Sequence, residues 1–161
     1  MSGGGLDWRP IGIAAGAAVL VAAVGGTLTD VGPWYQSLDK PDWTPPDWLF
    51  PVAWTAIFAC ATLSAVQAWR ATEGAMRDAV VGLFAANGFL NVLWSLLFFR
   101  MQRPDWAVIE VAILWLSIAA LIGLLWSRSR PAALLLVPYL LWVGVAAALN
   151  LEIVRRMGAF G

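Results

Sequence analysis

The chain has 161 residues, of which 61% are hydrophobic and only 12% charged, too little polar surface to cover a soluble globule of this size, so lipid must cover much of it. Ten basic residues against ten acidic ones leave a formal charge of zero, with no long run of either sign, which excludes a nucleic-acid footprint and a polybasic lipid-binding tail. There is no histidine, so Ser-His-Asp and Cys-His catalysis, imidazole ligation of haem and a Cys/His metal cluster are excluded, and the lone Cys60 has no disulfide partner within the chain.

Residues 1–10, with Gly3 to Gly5, read as a flexible leader, residues 11–156 as one five-helix membrane domain and residues 157–161 as a short tail. The first apolar run, Ile11 to Leu28, follows a single Arg9 and exceeds the length of a signal-peptide core, so it reads as a span. Its Gly12 and Gly16 form a small-xxx-small pair suited to close helix approach, within the bundle or between protomers. Thr29 to Asp47 carries Pro33, Pro41, Pro45 and Pro46 among aromatics, which predicts a stiff, ordered cap between the first two helices. Asp47 is placed to cap the second.

Four further runs approach the roughly 20 residues that cross about 30 Å of hydrocarbon as a helix: Trp48 to Trp69, Ala79 to Phe99, Trp106 to Trp126 and Ala132 to Val154. None alternates with the period of two that a barrel strand needs. The only acids inside them are Glu110 and Glu152, each close enough to an end to reach the interface. Short connections after the second, third and fourth runs make sequential helices antiparallel neighbours in one all-α bundle. Pro138 inside the fifth run frees the carbonyl of Leu134 and kinks the helix. Five spans do not divide into two inverted halves, which weighs against alternating access within one chain.

Eleven tryptophans need an explanation. Trp8, Trp48, Trp69, Trp106 and Trp126 fall at helix ends and belong to the interfacial aromatic belt. Trp54, Trp94, Trp115 and Trp142 fall within spans, where an indole N–H needs a partner. Asn87, Asn91, Trp94 and Phe98 follow i, i+4, i+7, i+11, one stripe of the third span, and amides in hydrocarbon must face the bundle interior. Tyr139, Trp142, Ala146 and Asn150 form a similar stripe on the fifth, and Phe50, Trp54 and Phe58 an aromatic one on the second. Three converging stripes would make an aromatic pocket with a few amides; the same residues would also serve as interhelical packing.

The runs Trp34-Tyr35, Lys40-Pro41, Trp43-Thr44-Pro45-Pro46, Phe50-Pro51 and Trp54-Thr55, followed by Asn91, Trp94-Ser95, Phe98-Phe99 and by Pro138-Tyr139, Trp142, Ala146, Leu149-Asn150, resemble the TspO/MBR family. That family includes the bacterial tryptophan-rich sensory proteins and the mitochondrial translocator protein, or peripheral benzodiazepine receptor. The resemblance covers nearly the whole chain in order. It implies a five-helix membrane bundle, usually a homodimer, in a bacterial cell membrane, inner or outer. Its first loop would close over a pocket for protoporphyrin-type tetrapyrroles and isoquinoline or benzodiazepine-type drugs, with no required cofactor and no metal. The ligand-binding positions it implies are Tyr35, Pro45, Trp54, Phe58, Asn87, Trp94, Trp142 and Ala146. Phe58 stands where many members have Tyr, and Asn87 where many have Gln.

Propionates of a bound porphyrin would pair with Lys40, Arg100 or Arg103. Leu149 to Arg155 lacks the tyrosine of the mitochondrial sterol-recognition pattern, which argues against sterol binding through that element. Three functions are compatible with these features. One is a translocator or sensor for porphyrin-like molecules; another is an enzyme degrading porphyrin in light through Trp54 and Trp142; the last is a regulatory or scaffold membrane protein.

The basic residues divide evenly between the two sides, with Arg9, Arg70, Arg77, Arg128 and Arg130 facing Lys40, Arg100, Arg103, Arg155 and Arg156, so the positive-inside rule leaves orientation open. Five spans nonetheless put reporters fused at Arg9 and at Gly161 on opposite sides of the membrane. Finding both on one side would remove a helix.

Overall fold

The computed structural model describes residues 7–158; the glycines at Gly3 to Gly5 and the end of the C-terminal tail lie outside the described residues. The protein is an all-α membrane bundle of five spans. The first is α1 (Trp8–Leu28), whose N-terminus is capped by the Asp7 carboxylate accepting from the Arg9 amide at 3.1 Å. A short helix α2 (Pro33–Ser37) lies in the loop before the second span, α3 (Leu49–Ala71). The third span is α4 (Gly74–Ser95), continued by a π-helical turn over Leu96–Arg100. The fourth is α5 (Pro104–Trp126), which starts with Pro104 in its first turn, where a missing N–H costs nothing.

The fifth span is broken. A short α6 (Arg130–Leu135) and α7 (Val137–Met157) meet at Leu136, two residues before Pro138. The break falls where the proline cannot donate to Leu134, so the kink has the cause the sequence suggests.

α1 packs along α3 and α4, α4 against α5, α5 against α6 and α7, and α6 with α7 back against α3. The five spans therefore form a closed ring in which α1 sits between α3 and α4. α3 and α4, joined by Thr72 and Glu73 alone, touch each other as the short connection predicts, and α1 lies against both. The driest packing belongs to α5, whose Val111, Leu114, Ile118, Leu121 and Leu125 are all buried against its neighbours. In α1 only Gly25 is buried.

The belt tryptophans Trp8, Trp48, Trp69, Trp106 and Trp126 are exposed, as ring anchors at the interface must be. Three carry an arginine over the ring: Arg77 on Trp69 at 4.3 Å, Arg103 on Trp106 at 5.0 Å and Arg130 on Trp126 at 5.6 Å. Asp47 does not cap α3. Trp48 occupies the cap position without a side-chain bond, and the Asp47 carboxylate instead accepts from Gln36 Nε2 at 2.9 Å.

Close approach within the bundle occurs elsewhere than at Gly12 and Gly16, which have open space where a Cβ would stand. The tight position is Gly88 of α4, where an added Cβ would lie 3.1 Å from Val21 Cγ2 of α1. Gly88→Leu is therefore expected to destabilise the protein by about 1–3 kcal/mol through overpacking, read as a lower melting temperature in detergent. Gly16→Leu should leave the melting temperature of the monomeric chain unchanged; equal losses from both would refute this packing.

Candidate ligand-binding site

A cavity of about 680 Å³ lies between α1, α3 and α4, beneath the first loop. The α3 wall is aromatic and follows helical spacing: Phe50, Trp54 and Phe58 face it, with Trp54 and Phe58 stacked at 5.6 Å and 27°. Opposite stand Asn91, Trp94, Ser95 and Phe99 of the third span, and Trp94 stacks on Phe98 at 5.4 Å. α1 supplies a wall of small residues, among them Ala15, Ala18, Ala22, Gly25 and Gly26, while Thr29, Val31 and Asp47 close the loop end. Such a site offers large flat apolar faces with few polar groups, the usual make-up of a pocket for a small hydrophobic ligand.

The π-helical turn shapes this end of the cavity. A π turn accommodates one more residue than an α turn, so Leu97, Phe98 and Phe99 are all buried in succession. The loop helix α2 is seated on them, Trp34 edge-on to Phe98 at 5.7 Å and Tyr35 tilted against Phe99 at 5.8 Å. Lys40 Nζ donates to the Tyr35 carbonyl at 2.6 Å and lies 4.4 Å from the centre of its ring. The Tyr35 hydroxyl is buried with no partner among the described residues, and its pKa is pushed up to about 12, first by burial and then by the nearby charge of Asp47.

Behind the cavity runs a hydrogen-bonded network. Asn91 Nδ2 donates to the Tyr139 hydroxyl at 3.0 Å, that hydroxyl donates to Asn87 Oδ1 at 3.0 Å, and Asn87 Nδ2 donates to Ser117 Oγ at 2.9 Å. Trp94 Nε1 donates to Asn150 Oδ1 at 3.3 Å, and Asn150 Nδ2 donates to the Pro104 carbonyl at 2.8 Å. Each amide thereby finds the partner that hydrocarbon cannot offer.

Of the positions expected to bind ligand, Trp54, Phe58 and Trp94 line the cavity. Tyr35 belongs to the cap above it. Asn87 is set back, spent on Tyr139 and Ser117. Pro45 is in the loop, half-buried, and does not line the cavity. Trp142 and Ala146 do not line it either: Trp142 stands one ring behind, edge-on to Phe50 at 5.6 Å. The stripe of the fifth span thus turns to the core, where Tyr139 and Asn150 are buried, and the third wall is α1. Trp115 is more exposed than either Trp94 or Trp142, at 36%.

The basic residues expected to meet carboxylates are engaged or outward. Lys40 holds Tyr35, Arg103 pairs with Asp105, and Arg100 is exposed. Glu110, expected to reach the interface, is instead only 5% exposed, and neither carboxyl oxygen has a partner among the described residues. α5 packs between α4 and α7, and the burial of Glu110 shows that the helix end that looked open in sequence is enclosed. The α1 wall escaped the sequence reading because its alanines and glycines carry no polar or aromatic marker; the signal was their smallness opposite an aromatic stripe.

Residues 14–156 match the sequence profile of the TspO/MBR family. The chain is 39% identical over 142 residues to Protein CrtK of Rhodobacter capsulatus, covering 86% of this chain and 87% of that one. It is 36% identical to the tryptophan-rich sensory protein of Cereibacter sphaeroides, over 86% of each chain. The translocator protein of Bos taurus is 36% identical over 133 residues, 78% of each chain.

The chain belongs to the TspO/MBR family.

Every cavity-lining residue, from Ala15 to Phe99, falls within the stretch that matches the TspO/MBR profile, as does the whole amide network. The family match thus covers the cavity and its support together, in a multi-pass membrane protein. The network makes a direct test. Tyr139→Phe removes one hydroxyl but strands both Asn91 Nδ2 and Asn87 Oδ1 in a buried site, and is expected to cost about 1–3 kcal/mol. A melting temperature in detergent equal to that of the parent would show that the network carries no stability.

Proposed function

We propose that this protein is a membrane translocator or sensor that takes up planar hydrophobic molecules, porphyrins above all, in the cavity between α1, α3 and α4. The observation that carries this reading is the cavity itself: about 680 Å³ walled by stacked Trp54 and Phe58 on one side and by Trp94 on the other. That volume lies inside the range of roughly 300–1,000 Å³ common to small-molecule sites. Isoquinoline- and benzodiazepine-type molecules are of the same flat, apolar class. The names of the relatives speak of sensing and translocation; the ligand class rests on the aromatic walls and on the motif resemblance.

The first loop supports an uptake role. It is ordered by aromatic contacts to the π-helical turn and by Arg156, whose guanidinium reaches Asp39 at 3.3 Å while also holding Glu152 at 3.0 Å. Displacing it would uncover the loop end of the cavity, the step by which a ligand passes between bilayer and solvent.

The test is a titration of protein in liposomes with protoporphyrin IX, followed by tryptophan fluorescence. Trp54→Ala removes a stacking face worth on the order of 1 kcal/mol, so affinity is expected to fall several-fold. Trp142→Ala, one ring removed, should have a smaller effect, and the belt variant Trp126→Ala none. Equal affinity in all three would place the ligand elsewhere.

A further inference from the structure

The polar groups of the cavity have an asymmetry that the aromatic walls conceal. Three of its hydroxyls have already given their protons to carbonyls of their own chain one turn back: Thr29 to Gly25 at 2.8 Å, Thr55 to Pro51 at 2.7 Å and Thr62 to Phe58 at 2.8 Å. Their lone pairs remain. Trp94 Nε1 is spent on Asn150, and Asn91 Nδ2 has one hydrogen on Tyr139. Asn91 Oδ1, in contrast, accepts no bond from any described residue and lies 4.0 Å from where a Cβ on Gly25, another lining residue, would stand. Among the lining side chains the spare donors are the Ser95 hydroxyl, the Trp54 indole N–H and the second hydrogen of the Asn91 amide, against the lone pairs of the three threonines, Asn91 Oδ1 and the Asp47 carboxylate.

Charge runs the same way. Among the described residues Asp47 is the one charged residue in the lining, and Gln36 Nε2 is its one side-chain donor. The segment Thr29 to Asp47 holds four acids, Asp30, Asp39, Asp42 and Asp47, against the single base Lys40; Asp39 is met by Arg156 of α7, which leaves Asp30, Asp42 and Asp47. Lys40 is turned to the carbonyl and ring of Tyr35. The faces of Phe50, Trp54, Phe58, Trp94 and Phe99 add the negative potential of aromatic quadrupoles, which attracts cations.

We infer that the cavity selects by charge among planar ligands, admitting hydrogen-bond donors and amine-bearing cationic amphiphiles in preference to carboxylates, with Asp47 as the specificity-determining residue at its loop end. A ligand would lie with its flat body between Trp54 and Trp94 and its ammonium group toward Asp47. Carboxylate groups of a porphyrin gain no partner inside and must stay in the solvent beyond the loop. This inference rests on the ligand-binding reading above and narrows it to a ligand class.

The experiment uses the full chain in zwitterionic phosphatidylcholine vesicles and three probes sharing one macrocycle. These are protoporphyrin IX, which is anionic; its dimethyl ester, which is neutral; and its bis-amide with ethylenediamine, which is cationic. Affinities are expressed relative to partition of each probe into protein-free vesicles. The cationic probe should bind several-fold more tightly than the anionic one. That ratio should collapse in Asp47→Asn, invert in Asp47→Lys, and shrink with added salt because Asp47 is exposed. Thr55→Val, which deletes an acceptor without touching charge, should weaken the cationic probe alone. The neutral ester should bind the parent and both Asp47 variants alike, which also shows that they fold. A ratio that favours the anion, or that Asp47 substitution leaves unmoved while the ester still binds, overturns this inference alone. Failure of all three probes to bind the parent protein overturns the ligand-binding reading and this inference with it.

Discussion

In hydrocarbon, an amide or hydroxyl that finds no partner inside the protein finds none at all. The arrangement of four of the five spans follows from that requirement. Ser64 Oγ on α3 donates to the Ala132 carbonyl of α6 at 2.7 Å, Asn87 and Asn91 on α4 reach Ser117 of α5 and Tyr139 of α7, and Asn150 of α7 reaches the Pro104 carbonyl of α5. Each bond fixes a register as well as a neighbour, because a side chain of fixed length can reach its partner at only one level of the helix. Apolar packing alone would not choose among levels, since lipid tails are as apolar as leucine.

α1 stands outside this network. Among the described residues its side chains make no hydrogen bond to another span; Thr27 donates to the Val24 carbonyl and Thr29, just past its end, to Gly25. It is held by contact alone, with small residues toward α3 and α4. The cavity lies along this seam, where four polar-bonded spans meet one that is only packed. A space for a guest is cheapest to maintain where no hydrogen bond must be broken to open it. The site and the network are therefore two consequences of how polar residues are distributed along the chain.

That distribution was partly readable in advance. The five spans are legible because their length and lack of charge leave no other fold, and the stripe Asn87, Asn91, Trp94, Phe98 announces an interior face because amides cannot meet lipid. The stripe Phe50, Trp54, Phe58 was likewise legible as a single face. The matching stripe on α7 carries the same residue types, but periodicity gives a face without saying which neighbour it meets, and here it meets the core. Which way α1 faces could not be read, since glycine and alanine repeated along a helix mark every face equally. The environment of Glu110 depends on which helices flank α5, and that follows from ring closure, a property no local window contains.

The π-helical turn at Leu96–Arg100 also bears on how such a chain can vary. An added residue inside a regular helix rotates everything beyond it by about 100°, which would swing aromatics toward lipid. Here the surplus is absorbed in one widened turn at the very end of the third span, after Asn87, Asn91 and Trp94 have been placed. Lengthening or shortening of the following connection thus leaves the amide stripe in phase. The turn works as an expansion joint, taking up one residue at that membrane face while the buried contacts keep their alignment.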